Sequence, residues 1–330
     1  MSQAVEKDKK CSMNHQEEYS LKKEQLIEEI LKLKKERDAL IMAHYYQRGD
    51  IQKLADCIGD SLALAREAAK TDAKVIVMCG VHFMGETAKL LSPDKIVLVP
   101  DATAGCSLAD SCPADEFKKF IAGHPGHTVI SYVNTSAAVK ALTDIVVTSG
   151  NARKIVESLP EDEKIIFGPD MNLGSYINAT TGRNMVLWPG ACHVHQRFSL
   201  EKILKLKEEH PDAKILVHPE CPKPIRLIAD KIGSTAALLA YSQTLEEGAE
   251  MIVATESGIL VEMERLNPGK VLIPAPPEDS TCGCNDCNYM KLNTLEKLRD
   301  CLRDLKPQIE VDPDIAERAR KPIDRMLELS

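Results

Sequence analysis

The chain of 330 residues contains an internal repeat of about 87 residues that occurs three times. In the segments ALIMAHYYQ, TVISYVNTS and AKILVHPEC, an apolar run ends at His44, Tyr132 or His218. These three anchor residues are spaced by 88 and 86 residues. A repeat of this length exceeds a solenoid unit and suits a small domain, so the sequence predicts three homologous α/β units rather than a stacked array.

Each repeat also carries a hydroxyl residue and a cysteine at matched positions. The hydroxyl residue follows its anchor by seventeen residues in every repeat, at Ser61, Ser149 and Thr235. A second apolar run leads to a cysteine, at Cys106, Cys192 and Cys287. The cysteine intervals of 86 and 95 residues indicate a short insertion in the third repeat. If the units pack around a pseudo-threefold axis, these positions meet there, and the three cysteines form one site.

Short β-branched runs alternate with helical stretches in every repeat. Continuous apolar strands separated by helices are typical of parallel sheets covered on both faces. The sequence therefore predicts an α/β fold of three homologous three-layer αβα domains with parallel four-stranded sheets. We expect the first domain at residues 1–93 plus 274–330, the second at 94–179 and the third at 180–273. The tail from residue 293 predicts two helices that return to the first unit.

Composition narrows the classes of function. The net charge is −8, aromatic residues are few and no Lys/Arg block occurs, so the electrostatic signature of a nucleic-acid-binding protein is missing. No apolar stretch approaches the roughly 20 residues that span a bilayer, and the charged start lacks a signal-peptide core. We therefore expect a cytoplasmic protein without a membrane partner. Its eleven cysteines should stay reduced, as metal ligands, reactive thiols or core residues.

Local cysteine spacing leaves the kind of site open. Cys282, Cys284 and Cys287 form a C-x-C-x-x-C cluster, which fits half of a zinc site, half of an iron–sulfur site or an inert loop. The repeat favours an iron–sulfur cubane that takes one thiolate from each unit and leaves one iron open as a Lewis acid. Which cysteine of this cluster binds stays open on spacing alone, and Cys284 with Cys287 could instead form a reversible disulfide.

Other cysteines and two histidines carry weaker signals. Cys112 lies six residues beyond Cys106 and could compete as a ligand, but it has no counterpart in the other repeats. We expect core or packing roles for Cys57, Cys79, Cys221 and Cys301. His193 and His195 flank Cys192 in ACHVHQ, and on an alternating backbone they would share a face, as donors to the site or as a zinc pair.

The repeated polar residues predict a substrate site. Ser61, Ser149 and Thr235 each stand at the start of a helical stretch, where a hydroxyl either only caps its helix or joins free amides in binding an anion. Their repetition beside the cysteines favours a polyanionic small molecule. Further polar groups follow the apolar strands and could transfer protons and orient carboxylates: His44, Tyr46, Tyr132, Asn134, His218 and Glu220.

With these residues assembled, the chain resembles the quinolinate synthase family, the A-type enzyme of de novo NAD biosynthesis, over nearly its whole length. The matching stretches are AHYYQ, GDSL, YVNTSAAVKALTDIVVTSGNA, FGPDMNLG, CHVHQ, HPECPKP, IGST and CNYMKLNTLE. The resemblance implies three αβα domains with pseudo-threefold symmetry around a 4Fe-4S cluster. It places the cluster ligands at Cys106, Cys192 and Cys287, the last because it directly precedes NYMKLNTLE.

The resemblance also implies a reaction and roles for residues. The reaction condenses iminoaspartate with dihydroxyacetone phosphate to quinolinate, with loss of phosphate and two waters, and links the enzyme to the L-aspartate oxidase that supplies iminoaspartate. The implied substrate-binding residues are His44, Ser61, Tyr132, Asn134, Ser149, His218, Glu220 and Thr235. The implied catalytic residues are Tyr46 and Glu220 as an acid–base pair, with His218 assisting.

Two features depart from the family pattern, and two other functions use the same residues. Tyr45 stands where the family typically has Asn in AHNYQ, and the C-x-C-x-x-C spacing puts a regulatory thiol role of Cys282 or Cys284 in doubt. An aconitase-like hydro-lyase would use the same open iron on one hydroxy acid. A non-enzymatic iron–sulfur sensor would need a docking surface, and the acidic chain without a recognition motif speaks against it.

Overall fold

The structure is a computed structural model that describes residues 21–279 and 285–330. It contains three four-stranded sheets. The first sheet is formed by β1 (Ala39–His44), β2 (Cys57–Gly59), β3 (Val75–Cys79) and β4 (Ile96–Leu98). The second is formed by β5 (Thr128–Tyr132), β6 (Ile145–Val147), β7 (Ile165–Gly168) and β8 (Val186–Leu187). The third is formed by β9 (Lys214–Val217), β10 (Lys231–Ile232), β11 (Glu250–Ala254) and β12 (Val271–Pro274).

The three sheets share one strand order. The orders are β2-β1-β3-β4, β6-β5-β7-β8 and β10-β9-β11-β12, and all pairings are parallel. The first strand of each unit therefore lies inside its sheet, between the second and the third. This repetition confirms the predicted α/β fold of three homologous αβα units.

Helices connect the strands and cover the sheets. Before β5 lie α1 (21–36), α2 (Gly49–Leu54), α3 (Ser61–Lys70), α4 (His82–Leu91), α5 (Ser107–Asp110) and α6 (Ala114–Ala122). Between β5 and β9 lie α7 (Ala137–Lys140), α8 (Ala152–Ser158), α9 (Met171–Thr181) and α10 (Leu200–Glu209). After β9 lie α11 (Lys223–Leu227), α12 (Thr235–Thr244), α13 (Ile259–Leu266), α14 (Leu295–Asp304) and α15 (Pro313–Leu329). Within the described residues, none of these helices is long and apolar enough to cross a membrane.

Both faces of each sheet are buried. In β1, Met42 packs on one face with Leu64 of α3. On the other face, Ile41 packs with Ile30 of α1 and Leu298 of α14. The second and third sheets are covered in the same way. Burial on both faces explains why the strands are almost continuously apolar in the sequence.

A repeated aspartate ties the first two strands of every unit together. The residues are Asp56, Asp144 and Asp230, which follow the anchors by twelve residues. Each carboxylate accepts the backbone N–H of the residue fifteen positions earlier, at 2.9, 2.7 and 2.9 Å respectively. Each aspartate N–H donates back to the carbonyl of that same residue. These two reciprocal hydrogen bonds fix the start of the second strand in the same register against the first strand in all three units. The repeated aspartate was not among the motifs predicted from the sequence.

The C-terminal helices only partly follow the prediction for the tail. Helix α14 packs on the first sheet, where Leu298 and Cys301 join its core. Helix α15 instead packs mainly against α7 and β6 of the second unit, with a smaller contact to α4. Its apolar stripe fits there because Ile323 and Met326 complete the core around Ile145. The expected return of the whole tail to the first unit is therefore wrong for α15.

The sheets also extend past two of the predicted domain boundaries. Strand β4 pairs with β3 beyond the boundary placed at residue 93, and β8 pairs with β7 beyond the one placed at 179. Strand pairing thus assigns β4 and β8 to the preceding sheet, in which each forms an edge strand. The division of the remaining residues among domains stays a prediction.

Asp144→Ala should lower the free energy of unfolding by about 1 kcal/mol, because the Val129 N–H then loses its acceptor at a partly exposed site. Urea unfolding followed by circular dichroism measures the change. Asp162→Ala, in an exposed turn of the same unit, is the control and should change stability by less than about 0.5 kcal/mol. Equal losses in the two variants would show that the strand tie contributes nothing specific.

Candidate active site

One cavity contains every site residue predicted from the sequence. The cavity lies between walls from all three repeats. The predicted residues that line it are His44, Tyr46, Ser61, Cys106, Tyr132, Asn134, Ser149, Cys192, His218, Glu220, Thr235 and Cys287. Their roles stay predictions, whereas their proximity is a property of the structure.

The anchor residues reach the cavity because each stands at the end of the first strand of its unit, which is one of the two inner strands of its sheet. Strand β1 ends at His44, β5 ends at Tyr132, and His218 directly follows β9. Ligand sites of parallel sheets lie beyond such carboxyl ends. The turn or bend that follows each anchor brings Tyr46, Asn134 and Glu220 to the cavity lining as well.

The repeat hydroxyls do not serve as helix caps. Helices α3 and α12 are capped by the side chains of the preceding residues, Asp60 and Ser234. Ser61 and Thr235 are the first helical residues instead, and both line the cavity. The interpretation that these hydroxyls only cap their own helices is therefore wrong, because a one-residue offset turns them toward the cavity.

Two of the hydroxyls contact the anchor segment of a different unit. Thr235 Oγ1 of the third unit lies 3.2 Å from the Tyr46 hydroxyl of the first. Ser149 Oγ of the second unit lies 3.3 Å from His218 Nε2 of the third. These contacts link the units across the cavity through groups that a polar ligand could also contact.

The three predicted cluster cysteines share one local environment. Each is a free thiol followed by a short turn: α5 after Cys106, and 3₁₀ turns at His195–Arg197 and Met290–Leu292 after Cys192 and Cys287. Backbone N–H groups two or three residues further along the chain donate to each sulfur. Burial raises the pKa of Cys106 to about 12 and of Cys287 to about 11, and that of Cys192 well above its ordinary value. Thiols in this setting need a compensating cation to ionise at neutral pH.

The other described cysteines lie outside the cavity lining. Cys112, the competing candidate, is buried with Phe117 and Trp188 in the core of the second unit. The predicted core or packing roles are confirmed for Cys57, Cys79, Cys221 and Cys301. Cys282 and Cys284 lie outside the described residues, so the preference for Cys287 over them stays a prediction.

Cys192, His195 and Glu220 form a compact group that could hold a metal ion, with ligand atoms within 4.8 Å of one another. His195 Nδ1 lies 2.8 Å from Glu220 Oε2 and 3.2 Å from Cys192 Sγ. His193 and His195 both line the cavity, as expected, although the segment follows a turn and a 3₁₀ helix rather than an alternating backbone. His193 bonds the Ser107 hydroxyl at 2.6 Å.

Glu220 carries a negative charge at the centre of the cavity wall. Burial by itself would raise the pKa of Glu220, but the neighbouring imidazoles of His195 and His218 and a hydrogen bond from Tyr132 bring it down to about 2. Burial lowers the pKa of His44 and of His218 to about 3. At neutral pH the cavity therefore combines an ionised carboxylate with neutral anchor imidazoles.

Comparison with known proteins shows where the chain belongs. The family described as quinolinate synthetase A protein matches residues 28–328. The chain belongs to the quinolinate synthase family. The quinolinate synthase of Thermosynechococcus vestitus is 59% identical over 305 residues, which cover 92% of this chain and 95% of that protein. The quinolinate synthase of Chloroherpeton thalassium is 55% identical over 305 residues, which cover 92% and 94%. The resemblance is confirmed, and the chain is an enzyme.

In this member of the quinolinate synthase family, two buried carboxylates that were not predicted as site residues hold the cysteine segments. Asp170 Oδ2 accepts the Cys192 N–H at 3.1 Å. Glu256 Oε1 accepts the Cys287 N–H at 3.0 Å and lies 2.9 Å from Lys291 Nζ. Both acids follow the third strand of their sheet by two residues. An acidic residue at this matched position of two repeats is the sequence signal that could have predicted both carboxylates.

His44→Gln should make stability less dependent on pH. The buried ring stays neutral down to about pH 3, whereas an ordinary imidazole titrates near 6.5. Below pH 6.5 the unfolded chain therefore binds a proton that the folded chain does not, which costs up to about 1.4 kcal/mol per pH unit. This contribution to stability is present above pH 6.5 and is lost as the pH falls toward 3.

Urea unfolding at a series of pH values measures the effect, and the variant should show a shallower acid decline by about one proton. His127→Gln, which alters a histidine outside the cavity lining, should keep the original slope. The same slope in both variants would mean that burial of His44 does not hold its ring neutral.

Proposed function

We propose that this enzyme condenses iminoaspartate with dihydroxyacetone phosphate to quinolinate, with release of phosphate and two waters, and that it uses a 4Fe-4S cluster. The observation that carries the proposal is a single cavity to which each repeat contributes a cysteine, a hydroxyl residue and an anchor pair. Relatives at 59% and 55% identity named quinolinate synthase support the product.

The cysteine environment fits such a cluster. Three free thiols from three repeats line one cavity, and backbone N–H groups donate to each sulfur. Hydrogen bonds to the sulfurs tune iron–sulfur centres. We assign Cys106, Cys192 and Cys287 as the ligands. When bound, a cluster with three protein ligands supplies one open iron that acts as a Lewis acid on a substrate oxygen.

The polar wall suits a substrate that carries carboxylate and phosphate groups. Ser149 and Thr235 offer hydroxyls, and the N-terminus of α12 adds amides beside a neutral serine cap. The side-chain oxygen of Asn134 is buried without a hydrogen-bond partner in the described part of the chain, so this amide is available to a ligand. Helix α3 is capped by the carboxylate of Asp60, which disfavours a second negative charge beside it. We therefore propose that Ser61 binds a hydroxyl group of the substrate and not an anionic group.

We assign Glu220 as the general base and Tyr46 as the general acid. Burial raises the pKa of Tyr46 well above its ordinary value, so the phenol keeps its proton, and hydroxyls of Thr235 and Thr255 orient it from 3.2 and 2.8 Å. A substrate between these side chains can lose a proton to Glu220 and receive one from Tyr46, as loss of water requires. His218 assists as a neutral donor or acceptor.

Small molecules are the proposed partners of this site. An L-aspartate oxidase that supplies iminoaspartate is the functional partner we propose. The net charge of −8 does not favour nucleic acid. We place the enzyme in the cytoplasm, where cluster-binding thiols stay reduced.

Anaerobic purification with iron and sulfide analysis, followed by a quinolinate assay, tests the proposal. We expect about four irons per chain and product from the two substrates. Cys106→Ala, Cys192→Ala and Cys287→Ala should each abolish the cluster-dependent activity, because each removes one of three protein ligands. Cys57→Ala changes a thiol outside the cavity and should keep both iron and activity.

Other outcomes would redirect the proposal. Full iron content and turnover in Cys287→Ala, with loss in Cys284→Ala, would move the third ligand. A cluster without quinolinate would favour an aconitase-like hydro-lyase or an iron–sulfur sensor. Zinc in place of iron would contradict the cluster and point to the group of Cys192, His195 and Glu220.

Glu220→Gln should lower kcat by about 10²- to 10⁴-fold, because the amide cannot accept the proton that the carboxylate takes. KM should change little, since the amide oxygen can still accept the hydrogen bond from Tyr132. Steady-state kinetics at equal iron content measure both constants. Glu247→Gln, on the surface of the same unit, is the control. A kcat within about tenfold of wild type would remove Glu220 from the role of base.

A further inference from the structure

A buried polar side chain occupies the same helix position in all three units. The fourth residue of the helix that follows each anchor is Gln52 in α2, Lys140 in α7 and Arg226 in α11. Each lies eight residues after its anchor, and they are 2%, 0% and 8% exposed. A polar group buried in a core requires hydrogen-bond partners to offset its lost hydration. The first two of these side chains share one task, whereas the third makes different contacts.

Gln52 and Lys140 make the same pair of contacts with different chemistry. Each donates to the carbonyls one and three residues after its anchor. The accepting residues are Tyr45 and Gln47 in the first unit and Val133 and Thr135 in the second. The Gln52 Nε2 bonds measure 3.0 and 2.9 Å, and the Lys140 Nζ bond to Val133 measures 2.8 Å. Gln52 Nε2 also lies 3.0 Å from the Gly258 carbonyl of the third unit, so its two hydrogens are shared among three acceptors. A neutral amide in the first unit and an ammonium group in the second thus hold equivalent turns.

The held turns are the ones that carry the cavity side chains. The two accepting carbonyls belong to the residues one and three positions after the anchor. The anchor itself and the residue two positions after it are therefore their direct neighbours in the chain. In the second unit those two residues are Tyr132 and Asn134, which line the cavity. Tyr132 hydrogen-bonds Glu220, so any shift of the turn would reach that carboxylate as well.

The third unit shows what happens when the partner changes. Arg226 Nη2 donates to Ser175 Oγ of the second unit at 2.7 Å, and its guanidinium lies over the Tyr176 ring. Its Nε has no hydrogen-bond partner in the described residues. The arginine therefore links two units and does not hold its own turn, so the inference applies to the first two units.

The positive charge of Lys140 is balanced close by. Its Nζ lies 5.5 Å from the centroid of the Phe83 ring, which lines the cavity. Glu86 of the first unit accepts the Ala137 N–H at 2.9 Å at the start of the same helix, and its charge favours the ammonium. Because a neutral glutamine does the same task in the first unit, the donors of Lys140 matter more than its charge.

We propose that Lys140 and Gln52 are positioning residues that hold the turns bearing Tyr132 with Asn134 and His44 with Tyr46 in the geometry the cavity needs. This inference rests on the proposed function, in which those side chains contact the substrate. The expected signature is a loss of turnover that a second hydrogen-bond donor at the same position restores.

Lys140→Met tests the proposal, because it keeps the apolar stem and removes both donors. We expect kcat for quinolinate formation to fall about 100-fold, as a misplacement near 1 Å can cause. Lys140→Gln reproduces the side chain that the first unit uses and should stay within about tenfold of wild type. Lys154→Met removes an exposed lysine of the second unit and is the control for loss of a charge. All four proteins are compared as reconstituted holoenzymes with equal iron content.

Hydrogen exchange of the amides at 133–136 gives a readout that needs neither cluster nor activity. Exchange should be faster in Lys140→Met than in wild type or Lys154→Met, and Lys140→Gln should restore protection. A double variant with Tyr132→Phe should lose less than the product of the single losses, because Lys140 acts through that side chain.

Equal activity losses in Lys140→Met and Lys140→Gln would overturn the proposal and assign the effect to charge. Wild-type kcat and exchange in Lys140→Met would overturn it outright. If Lys140→Met does not fold, Gln52→Met with exchange at 45–48 and its matched Gln52→Lys decide the same question in the first unit. A wild-type enzyme that forms no quinolinate would refute the proposed function alone, because the exchange measurements still test the positioning role.

Discussion

The whole site depends on where three parallel strands end. A parallel sheet presents all its carboxyl ends at one edge, and an inner strand of each sheet ends at the position of an anchor residue. Because the three sheets share one strand order, equivalent positions of all three units reach one cavity. The repeated fold thereby supplies three thiols, three hydroxyls and three polar pairs to a single cavity.

Burial then decides the chemistry of those groups. Burial in the cavity wall lowers the pKa values of the histidine anchors and raises those of the thiols, so the imidazoles are neutral and the thiols are protonated unless a cation joins them. Glu220 is the exception, since hydrogen bonds and imidazoles around it favour the carboxylate despite its burial. Burial raises the pKa of Tyr46, so a protonated phenol and an ionised carboxylate share one cavity as proton donor and proton acceptor.

The amino-acid sequence predicted much of the fold and of the site. Apolar runs predicted the strands, and the repeat interval predicted which side chains meet. Local details were less accessible. Whether Ser61 caps α3 or stands inside it depends on one residue of offset, and whether His193 and His195 share a face depends on a turn that alternation cannot show. The prediction placed helix α15 on the wrong unit, because an apolar stripe shows that one face of a helix is buried but not which surface it packs against.

The sequence by itself determined the repeat, the type of each element and the residues at the strand ends, because periodicity and spacing are local properties of the chain. Only the tertiary structure decided the contacts between units, such as Thr235 with Tyr46 and Ser149 with His218. It also decided that Gln52 and Lys140 hold equivalent turns. The contacts between units depend on distances between residues far apart in the chain, and these distances are not fixed until the three sheets pack together. The turn contacts of Gln52 and Lys140 span only five to seven residues, but the burial that makes them matter also depends on that packing.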